Sequence, residues 1–156
     1  PAISDPGEDL VALCYELGIE VQSVPGPTAF ATALAVSGLP TGRFTFEGFL
    51  SVNKKSRREH LEEVKDEKRT MIFYESPFRL VKALEQMAEV FGPTRHACVA
   101  REISKMFEEF KRGTLEELAG WYKQNGVKGE IVLIVAGKDY NLAEEEGLHI
   151  EIEEEE

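Results

Sequence analysis

The sequence has 156 residues, of which 42% are apolar, and its 29 acidic and 18 basic side chains give a formal charge of −11. This length suits one domain or two small ones, and the apolar content excludes a generally disordered chain. No apolar run reaches the ~18 residues that span a bilayer, and the first residues lack the basic and apolar regions of a signal peptide. We therefore expect a cytoplasmic protein without a membrane segment.

The cysteines and histidines do not show the spacing of a metal site. Cys14 and Cys98 are far apart and form no CxxC motif, which predicts two buried reduced thiols rather than a disulfide or a metal pair. The three histidines, His60, His96 and His149, lack ligand spacing as well. We expect no metal.

The charge is unevenly distributed along the chain. Residues 139–156 contain nine acids and no Lys or Arg, which predicts a solvated acidic tail. Residues 43–112 contain 15 of the 18 bases. Within them, the stretch 43–58 contains five bases against one acid, Glu47, and could contact phosphate groups. The alternative is a solvated loop and helix start.

Residues 1–42 predict a helix, a short strand and a second helix. Asp5 is the predicted cap of the first helix, which starts at Pro6 and runs up to Gly18, and residues 19–24 form the predicted strand. A Pro-Gly-Pro turn then leads to a helix capped by Thr28, which runs to about residue 37. Such a turn exposes N–H groups that can hold a polar ligand, although most turns of this kind are structural. Residues 38–42 predict a linker.

Strands alternate with helices over residues 43–138. Ser76 is the predicted cap of the second of these helices, Gly92 ends it, and Thr114 with Glu117 predicts a capping box for the third. The predicted strands are 44–49, 70–74, 97–101, 109–112 and 131–136, a basic loop covers 51–56, and the predicted helices are 57–64, 77–90 and 115–124. This order predicts an α/β fold with a mixed sheet flanked by helices, in which strand 44–49 and the 97–112 pair are candidates for antiparallel pairing.

Polar residues follow two of the predicted strands. Glu75 and Arg79 come after the second strand, and Arg101, Glu102 and Lys105 come after the third. Because open α/β sheets bind ligands at the carboxyl ends of their strands, both clusters are candidate sites, with ordinary surface ion pairing as the alternative. Arg79 in a first helical turn opposes the helix dipole and needs a partner such as Glu75. No Gly-rich phosphate loop and no Ser-His-Asp set is apparent.

Six segments together carry a resemblance to a known family. They are 1–7 (PAISDPG), 24–29 (VPGPTA), 37–40 (SGLP), 44–50 (FTFEGFL), 73–77 (FYESP) with Arg79, and 100–105 (AREISK). In this order they resemble the tetrapyrrole methylase superfamily, and most closely its bacterial branch that methylates the ribose 2′-oxygen of a cytidine in small-subunit ribosomal RNA. The chain departs from this branch at Phe78, where the branch often has His.

The resemblance implies a two-domain α/β methyltransferase that binds S-adenosylmethionine between its domains and usually forms a homodimer. Residues 1–42 would then be the end of the first domain and residues 43–138 the second, so that the chain is a fragment, expected to be inactive alone. Carried over by position, the S-adenosylmethionine contacts are Ile3, Thr28, Ala29, Glu75 and Ile103.

For the reaction, the resemblance implies that a ribose 2′-hydroxyl attacks the sulfonium methyl group without a metal. We expect Arg79, Arg101 and Lys105 to orient phosphate or polarise the hydroxyl, and Glu75 or Glu102 to accept its proton. The RNA, either free or in the assembled small ribosomal subunit, would contact the basic side chains of Lys54, Lys55, Arg57 and Arg58. Two alternatives remain open, a tetrapyrrole (corrin/porphyrin) C-methyltransferase and a non-catalytic interaction module.

Overall fold

The computed structural model describes residues 1–140, so the predicted acidic tail lies, from residue 141 onward, outside the described residues. Five helices and five strands occur in this part of the chain. The helices are α1 (Glu8–Glu16), α2 (Ala29–Val36), α3 (Lys54–Val64), α4 (Leu80–Phe91) and α5 (Leu115–Asn125). The strands are β1 (Phe44–Phe49), β2 (Thr70–Glu75), β3 (His96–Arg101), β4 (Glu109–Thr114) and β5 (Ile131–Val135).

The five strands form one mixed sheet in the order β1-β2-β5-β3-β4, which confirms the predicted α/β fold. β5 lies between β2 and β3 and is antiparallel to both, and β3 pairs antiparallel with β4 as predicted. The antiparallel prediction for β1 is wrong, because β1 is parallel to β2. The reason is the connection between them: helix α3 crosses over from the end of β1 to the start of β2, as parallel neighbours require.

The sheet is covered on both faces, as its strands of continuous buried residues suggest. On one face, which we call the three-helix face, β2, β3 and β5 pack against α3, α4 and α5 through residues such as Phe73, Val99 and Leu133. On the other, which we call the α2 face, Ile72 and Ile134 pack against helix α2. Successive residues of a strand point to opposite faces, so the strand position determines which layer a side chain meets.

Four helix starts and ends were predicted in residues 43–140, and two of them are confirmed. The capping box of α5 is present, since Glu117 N–H donates to Thr114 Oγ1 at 3.2 Å and Thr114 N–H donates to Glu117 Oε2 at 2.9 Å. Gly92 ends α4, as predicted. The predicted start of α4 is wrong, because Arg79 and not Ser76 precedes the first residue of the helix. The Ser76 carbonyl accepts the Arg79 N–H at 3.0 Å and closes a separate turn before the helix. The predicted start of α3 at residue 57 is also wrong, because the helix begins at Lys54.

The region before α2 differs most from the sequence prediction. Helix α1 starts at Glu8 after Gly7 and has no side-chain cap, so the capping role predicted for Asp5 is wrong. Residues 19–24 form no strand, and their apolar side chains are exposed, because no described strand lies beside them to pair with their N–H and C=O groups.

Cys98 is buried, and this burial raises the pKa of its thiol, but Cys14 is only half-buried on the loosely packed α1.

Helix α2 is joined to the body of residues 43–140 by polar contacts as well as by packing. Arg112 Nε donates to the Ser37 carbonyl at 2.9 Å, and Thr70 Oγ1 donates to the Pro40 carbonyl at 2.6 Å. These contacts span the predicted domain boundary at residue 42. None of the helices within residues 1–140 has the length and apolar character needed to cross a bilayer.

We predict that Glu67 makes the stability of the fold sensitive to acid. Two side-chain hydrogen bonds from Arg69, at 2.8 and 3.0 Å, together with the Arg69 N–H, lower the pKa of Glu67 to about 2. Because ionised Glu67 is favoured in the folded state, it stabilises the folded protein above pH ~4.5. This contribution is lost as the pH falls towards 2 and the carboxylate is protonated. Because the pair is partly exposed, we expect Glu67→Gln to lower the free energy of unfolding by about 1 kcal/mol at pH 7.

Urea unfolding of both proteins between pH 7 and pH 2 measures this effect. The difference between them should shrink through this range and vanish near pH 2. A difference that does not depend on pH would contradict the role of the ion pair.

Candidate functional site

The sheet register gathers the predicted site residues at one edge. Phe49 is opposite Tyr74, and Ile131 lies between Glu75 on one side and Arg101 on the other. The carboxyl ends of β1, β2 and β3 therefore share an edge with the starts of β4 and β5. We call this edge, with the loops that follow β1, β2 and β3, the site edge. The predicted site residues thus lie at the carboxyl ends of strands, as the sequence predicted.

Glu75 and Arg79 form an ion pair at the end of β2. The Glu75 carboxylate is buried, and its Oε1 accepts hydrogen bonds from Arg79 Nε at 2.9 Å and from the Ser76 N–H at 2.8 Å. Arg79 itself is partly exposed. The prediction that Arg79 needs Glu75 as a partner is confirmed. This pair holds a guanidinium group, which suits phosphate and carboxylate ligands, at the entrance of a cleft between α3 and α4.

The α3/α4 cleft has a volume of about 480 Å³. Its lining combines four cationic side chains with two carboxylates, one amide and one apolar side chain: Lys54, Arg57, Arg79, Lys82, Glu85, Glu89, Gln86 and Val52. A cleft of this composition can take an anionic ligand that also carries polar groups.

Arg101 ends β3 and is linked to the opposite strand. Its Nε lies 3.6 Å from Glu109 Oε1 on β4, and its Nη1 donates to the Lys128 carbonyl at 3.2 Å. The same Glu109 oxygen accepts the hydroxyl of Tyr122 at 3.0 Å. Burial and the nearby Glu109 carboxylate raise the pKa of Tyr122, so this phenol stays protonated. Arg101 is therefore anchored directly by β4 and by the loop before β5, while α5 holds its partner Glu109 through Tyr122.

Glu102, Lys105 and Glu130 form a second cluster next to Arg101. Glu102 Oε1 accepts the Glu130 N–H at 2.7 Å and Lys105 Nζ at 3.2 Å, and Lys105 Nζ also donates to Glu130 Oε2 at 2.8 Å. The Glu130 N–H and the lysine lower the pKa of Glu102, while Glu130 and Glu102 raise the pKa of Lys105. Hydrogen bonds to the charged form make Glu102 a poor proton acceptor at neutral pH.

Gly129 leaves room for the Glu102 side chain. It has a φ of +92°, and a methyl group there would overlap the Glu102 carboxylate. We expect Gly129→Ala to displace Glu102 and to weaken the hydrogen bonds that join residues 102 and 130. Hydrogen exchange of these two backbone amides, measured by NMR, should be faster in the variant by at least tenfold.

Gly126 provides a matched control, since it also has a positive φ, +71°, but has open space where a methyl group would lie. Gly126→Ala should cost about 1 kcal/mol of backbone strain and leave the Glu102 and Glu130 amides protected. Equal exchange in both variants would show that Glu102 does not depend on Gly129.

In the described part of the chain, residues 1–140, the strained non-glycine residues lie beside two of the predicted ligand contacts. Among residues 1–140, the non-glycine residues with positive φ are Ala2 (67°) and Ser4 (51°), which flank Ile3, and Glu102 (53°) and Ser104 (64°), which flank Ile103. Such conformations cost free energy and are found preferentially at functional sites. Ser4 also lies against Gly48, where Glu47 forms a β-bulge in β1. The Ile3 loop is thus held beside the site edge.

Thr28 and Ala29 lie at the start of α2, on the other side of the sheet from Glu75. Thr28 does not cap the helix with its side chain, so that part of the prediction is wrong. The next residue, Phe30, packs against Phe46 with ring centroids 5.1 Å apart. Ile103 packs into the same α2-face cluster. The strand positions place Glu75 on the three-helix face, so the predicted ligand contacts are divided between the two faces.

Residues 54–58 of the predicted basic stretch are helical, and only some of their side chains are available to a ligand. Helix α3 begins at Lys54 because Asn53 Oδ1 accepts the backbone N–H groups of residues 55 and 56 at 2.9 and 3.1 Å. Lys54, Lys55 and Arg58 are exposed. Arg57 is buried: its Nε donates to Gln86 Oε1 at 2.5 Å and its Nη1 to the Ser51 carbonyl at 3.3 Å. Arg57 therefore joins α3 to α4 and stands in the wall of the α3/α4 cleft with its guanidinium already engaged by Gln86 and Ser51.

Sequence reasoning missed several partners at the site edge: Gln86, Glu109, Glu130 and the pair Glu47–His60, in which His60 Nε2 lies 2.9 Å from Glu47 Oε2. Gln86 could have been found from the sequence, because it lies among the apolar positions of α4 that face the core, where a buried amide requires a hydrogen-bond partner. Glu47, Glu109 and Glu130 are on strands or loops whose neighbours depend on the register, and His60, on α3, meets Glu47 only because α3 packs beside β1. Within residues 1–140, no three His, Cys, Asp or Glu side chains are grouped as ligands for a metal ion.

The sequence matches the profile of the tetrapyrrole (corrin/porphyrin) methylases over residues 1–119. Proteins called ribosomal RNA small subunit methyltransferase I are similar to it. The one from Halalkalibacterium halodurans is 50% identical over 146 residues, which are 94% of this chain and 50% of that protein. The one from Escherichia coli O157:H7 is 46% identical over 150 residues, 95% of this chain and 51% of that protein. The chain thus spans about half the length of these relatives.

Solved structures with a similar fold are tetrapyrrole methyltransferases. A cobalt precorrin-4 methyltransferase matches with a TM-score of 0.65 and 17% identity, over 87% of this chain and 60% of that one. A uroporphyrin-III C-methyltransferase from Thermus thermophilus, complexed with S-adenyl homocysteine, matches with a TM-score of 0.59 and 22% identity, over 87% of this chain and 61% of that one. At this level of identity, the likeness concerns the fold.

Proposed function

Because the chain belongs to the tetrapyrrole (corrin/porphyrin) methylase family, we propose that it serves an S-adenosylmethionine-dependent methyl transfer to the ribose 2′-hydroxyl of a cytidine in small-subunit ribosomal RNA. The observation that carries this proposal is the 46–50% identity to proteins called ribosomal RNA small subunit methyltransferase I. The exposed bases near the site edge support a polyanionic substrate. A tetrapyrrole substrate would instead favour an apolar trough, whereas the α3/α4 cleft is lined mainly by charged residues.

The residues around Ile3 and Ile103 fit a ligand with both apolar and polar parts. Both loops are held in strained backbone conformations, and Ile103 adds an apolar surface against the α2 face. We assign Ile3, Thr28, Ala29 and Ile103 to holding S-adenosylmethionine, whose sulfonium methyl group supplies the electrophile when it is bound. Glu75 is less suited to this role, because its carboxylate is buried on the other face and engaged by Arg79.

Three cations at the site edge would bind and orient the RNA. Arg79, Arg101 and Lys105 are each fixed by at least one carboxylate, which keeps them in place before the substrate arrives. We propose that they hold a phosphate near the reacting ribose or polarise its hydroxyl. The two carboxylates that the resemblance suggests as proton acceptors, Glu75 and Glu102, serve better as positioning residues, because Glu75 is buried and Glu102 has a lowered pKa.

The exposed bases of helix α3 extend this surface. Lys54 and Lys55 are exposed at the helix start, and Arg58, one turn on, is shared between Glu62 at 3.6 Å and Glu89 at 3.3 Å. We therefore assign RNA contacts to Lys54 and Lys55 first and to Arg58 second. Arg57 is withdrawn from this set, because its buried guanidinium binds Gln86.

The proposed setting is a cytoplasmic homodimer that acts on ribosomal RNA or on the assembled small subunit. Support for a protein interface comes from α1, none of whose residues is buried although Leu10, Leu13 and Leu17 form an apolar face. We place the boundary between the two family domains at residues 42 and 43, where the acidic segment gives way to the basic one.

Labelled S-adenosylmethionine and small ribosomal subunits from cells lacking the modification test the function directly. The protein at the full length of these relatives should label the RNA, and nucleoside mass spectrometry should identify 2′-O-methylcytidine. Free ribosomal RNA in a parallel reaction distinguishes the two forms of the substrate. A precorrin or porphyrin that is labelled instead would favour the tetrapyrrole reaction, and no transfer to any of them would favour a non-catalytic interaction module.

A further inference from the structure

Large apolar side chains are exposed at the site edge. In residues 43–140, the exposed large apolar residues are Phe44, at the start of β1, and Phe49, Val52, Phe78, Met106 and Phe107, all of which end or follow β1, β2 or β3. Phe78 is 92% exposed, Met106 91% and Phe107 70%. Three separate loops thus present apolar groups at the same edge of the sheet. Exposed clusters of this kind mark interaction surfaces.

The charge around Phe78 indicates what this surface binds. The segments 50–58 and 76–82, which follow β1 and β2, contain six bases and no acid. Phe78 lies directly before Arg79, and Lys82 follows one turn later in the lining of the α3/α4 cleft. An exposed aromatic ring next to a cation and near a basic cleft matches the pattern of single-stranded nucleic-acid sites, where rings stack on bases and cations contact phosphates.

We propose that Phe78 stacks on an unpaired base of the RNA substrate while Lys54 and Lys82 contact the adjoining phosphates. This inference rests on the proposed function and adds a residue that selects unpaired RNA at the reaction site. A second copy of the chain is the competing occupant of this surface. The RNA is favoured because two copies would bring the same basic segments together, and like charges would repel.

Binding of a fluorescein-labelled oligocytidylate, measured by anisotropy at several salt concentrations, tests the proposal. Phe78→Ala should weaken binding about 5- to 150-fold without changing the salt dependence, because a ring carries no charge. Phe78→Trp should retain the affinity, and Phe78→Leu, which keeps apolar bulk but no ring, should lose it. Lys82→Ala should instead reduce the slope of log K against log salt by about 0.7.

The controls separate the possible failures. Phe78→Ala should keep the thermal midpoint, since the ring is almost fully exposed, and Tyr15→Ala, which removes an equally exposed ring on α1, should leave RNA binding unchanged. If the unsubstituted protein binds RNA and Phe78→Ala binds it equally well, the stacking role is overturned while the proposed function stands. If the unsubstituted protein does not bind the oligocytidylate, the stacking role is overturned, and the methyl-transfer assay with small ribosomal subunits decides the proposed function separately. A sedimentation change in Phe78→Ala without loss of RNA binding would assign the surface to a second copy.

Discussion

Gly137→Ala is expected to destabilise the protein by about 3 kcal/mol, which is a large part of the 5–15 kcal/mol typical of a domain. Gly137 is buried just after β5, and a methyl group there would overlap the carbonyl group of Lys68. The obstacle is backbone, which cannot rotate away as a side chain would. The adjoining hydrogen bond from the Lys138 N–H to the Glu67 carbonyl, 2.8 Å, would have to lengthen or break. Thermal unfolding should show a midpoint about 10 °C lower.

Gly120→Ala is the matched control for this substitution. Gly120 lies inside α5, and a methyl group there would meet nothing within 4 Å. Because alanine favours the helix over glycine, this variant should be more stable by up to about 1 kcal/mol. A Gly137→Ala protein as stable as the parent would mean that the strand connection at residues 68 and 137 can separate without cost.

Arg79→Ala is expected to lower methyl transfer to RNA by about 100-fold, under the proposed function, because it removes a fixed cation from the site edge. It should also cost about 3 kcal/mol of stability, since the Glu75 carboxylate would stay buried without its partner. The activity is measured as kcat and KM with small ribosomal subunits, and the stability by urea unfolding.

The double variant Glu75→Gln/Arg79→Ala separates these two effects. Removing the buried charge should restore most of the stability while the activity stays low. Activity that returns together with stability would show that Arg79 supports only the fold. Arg79→Lys keeps the charge but loses the planar guanidinium, so partial activity would indicate that the charge matters more than the geometry.

The sequence predicted those elements whose signals are local. The capping box of α5 depends on residues three apart, Thr114 and Glu117, and is confirmed. The predicted start of α3 is wrong because the Lys- and Arg-rich stretch has the composition of a loop, whereas the cap Asn53 starts the helix before it. Residues 19–24 have the composition of a strand, but a strand also needs a neighbour, which composition does not reveal.

The candidate site was predictable in position and not in its contacts. The strand-helix alternation placed Glu75 and Arg101 at strand ends, and the pair Glu75–Arg79 followed from the helix dipole. The partners Glu109 and Glu130 lie on other strands or loops, so finding them required the sheet register. Arg57 shows the same limit: its charge suggested solvent and phosphate, whereas its burial depends on a glutamine 29 positions away.

The central place of β5 has a consequence for synthesis on the ribosome. The strands at one side of the sheet, β1 and β2, and those at the other, β3 and β4, are each complete before residues 131–135 leave the exit tunnel, but β5 lies between them. Until then the nascent chain consists of two half-sheets with unpaired edges, which are open to wrong partners. The insertion of β5 closes both edges at once and brings Glu75 and Arg101 to either side of Ile131. The site edge therefore forms in the same late step that protects the newly made chain from aggregation.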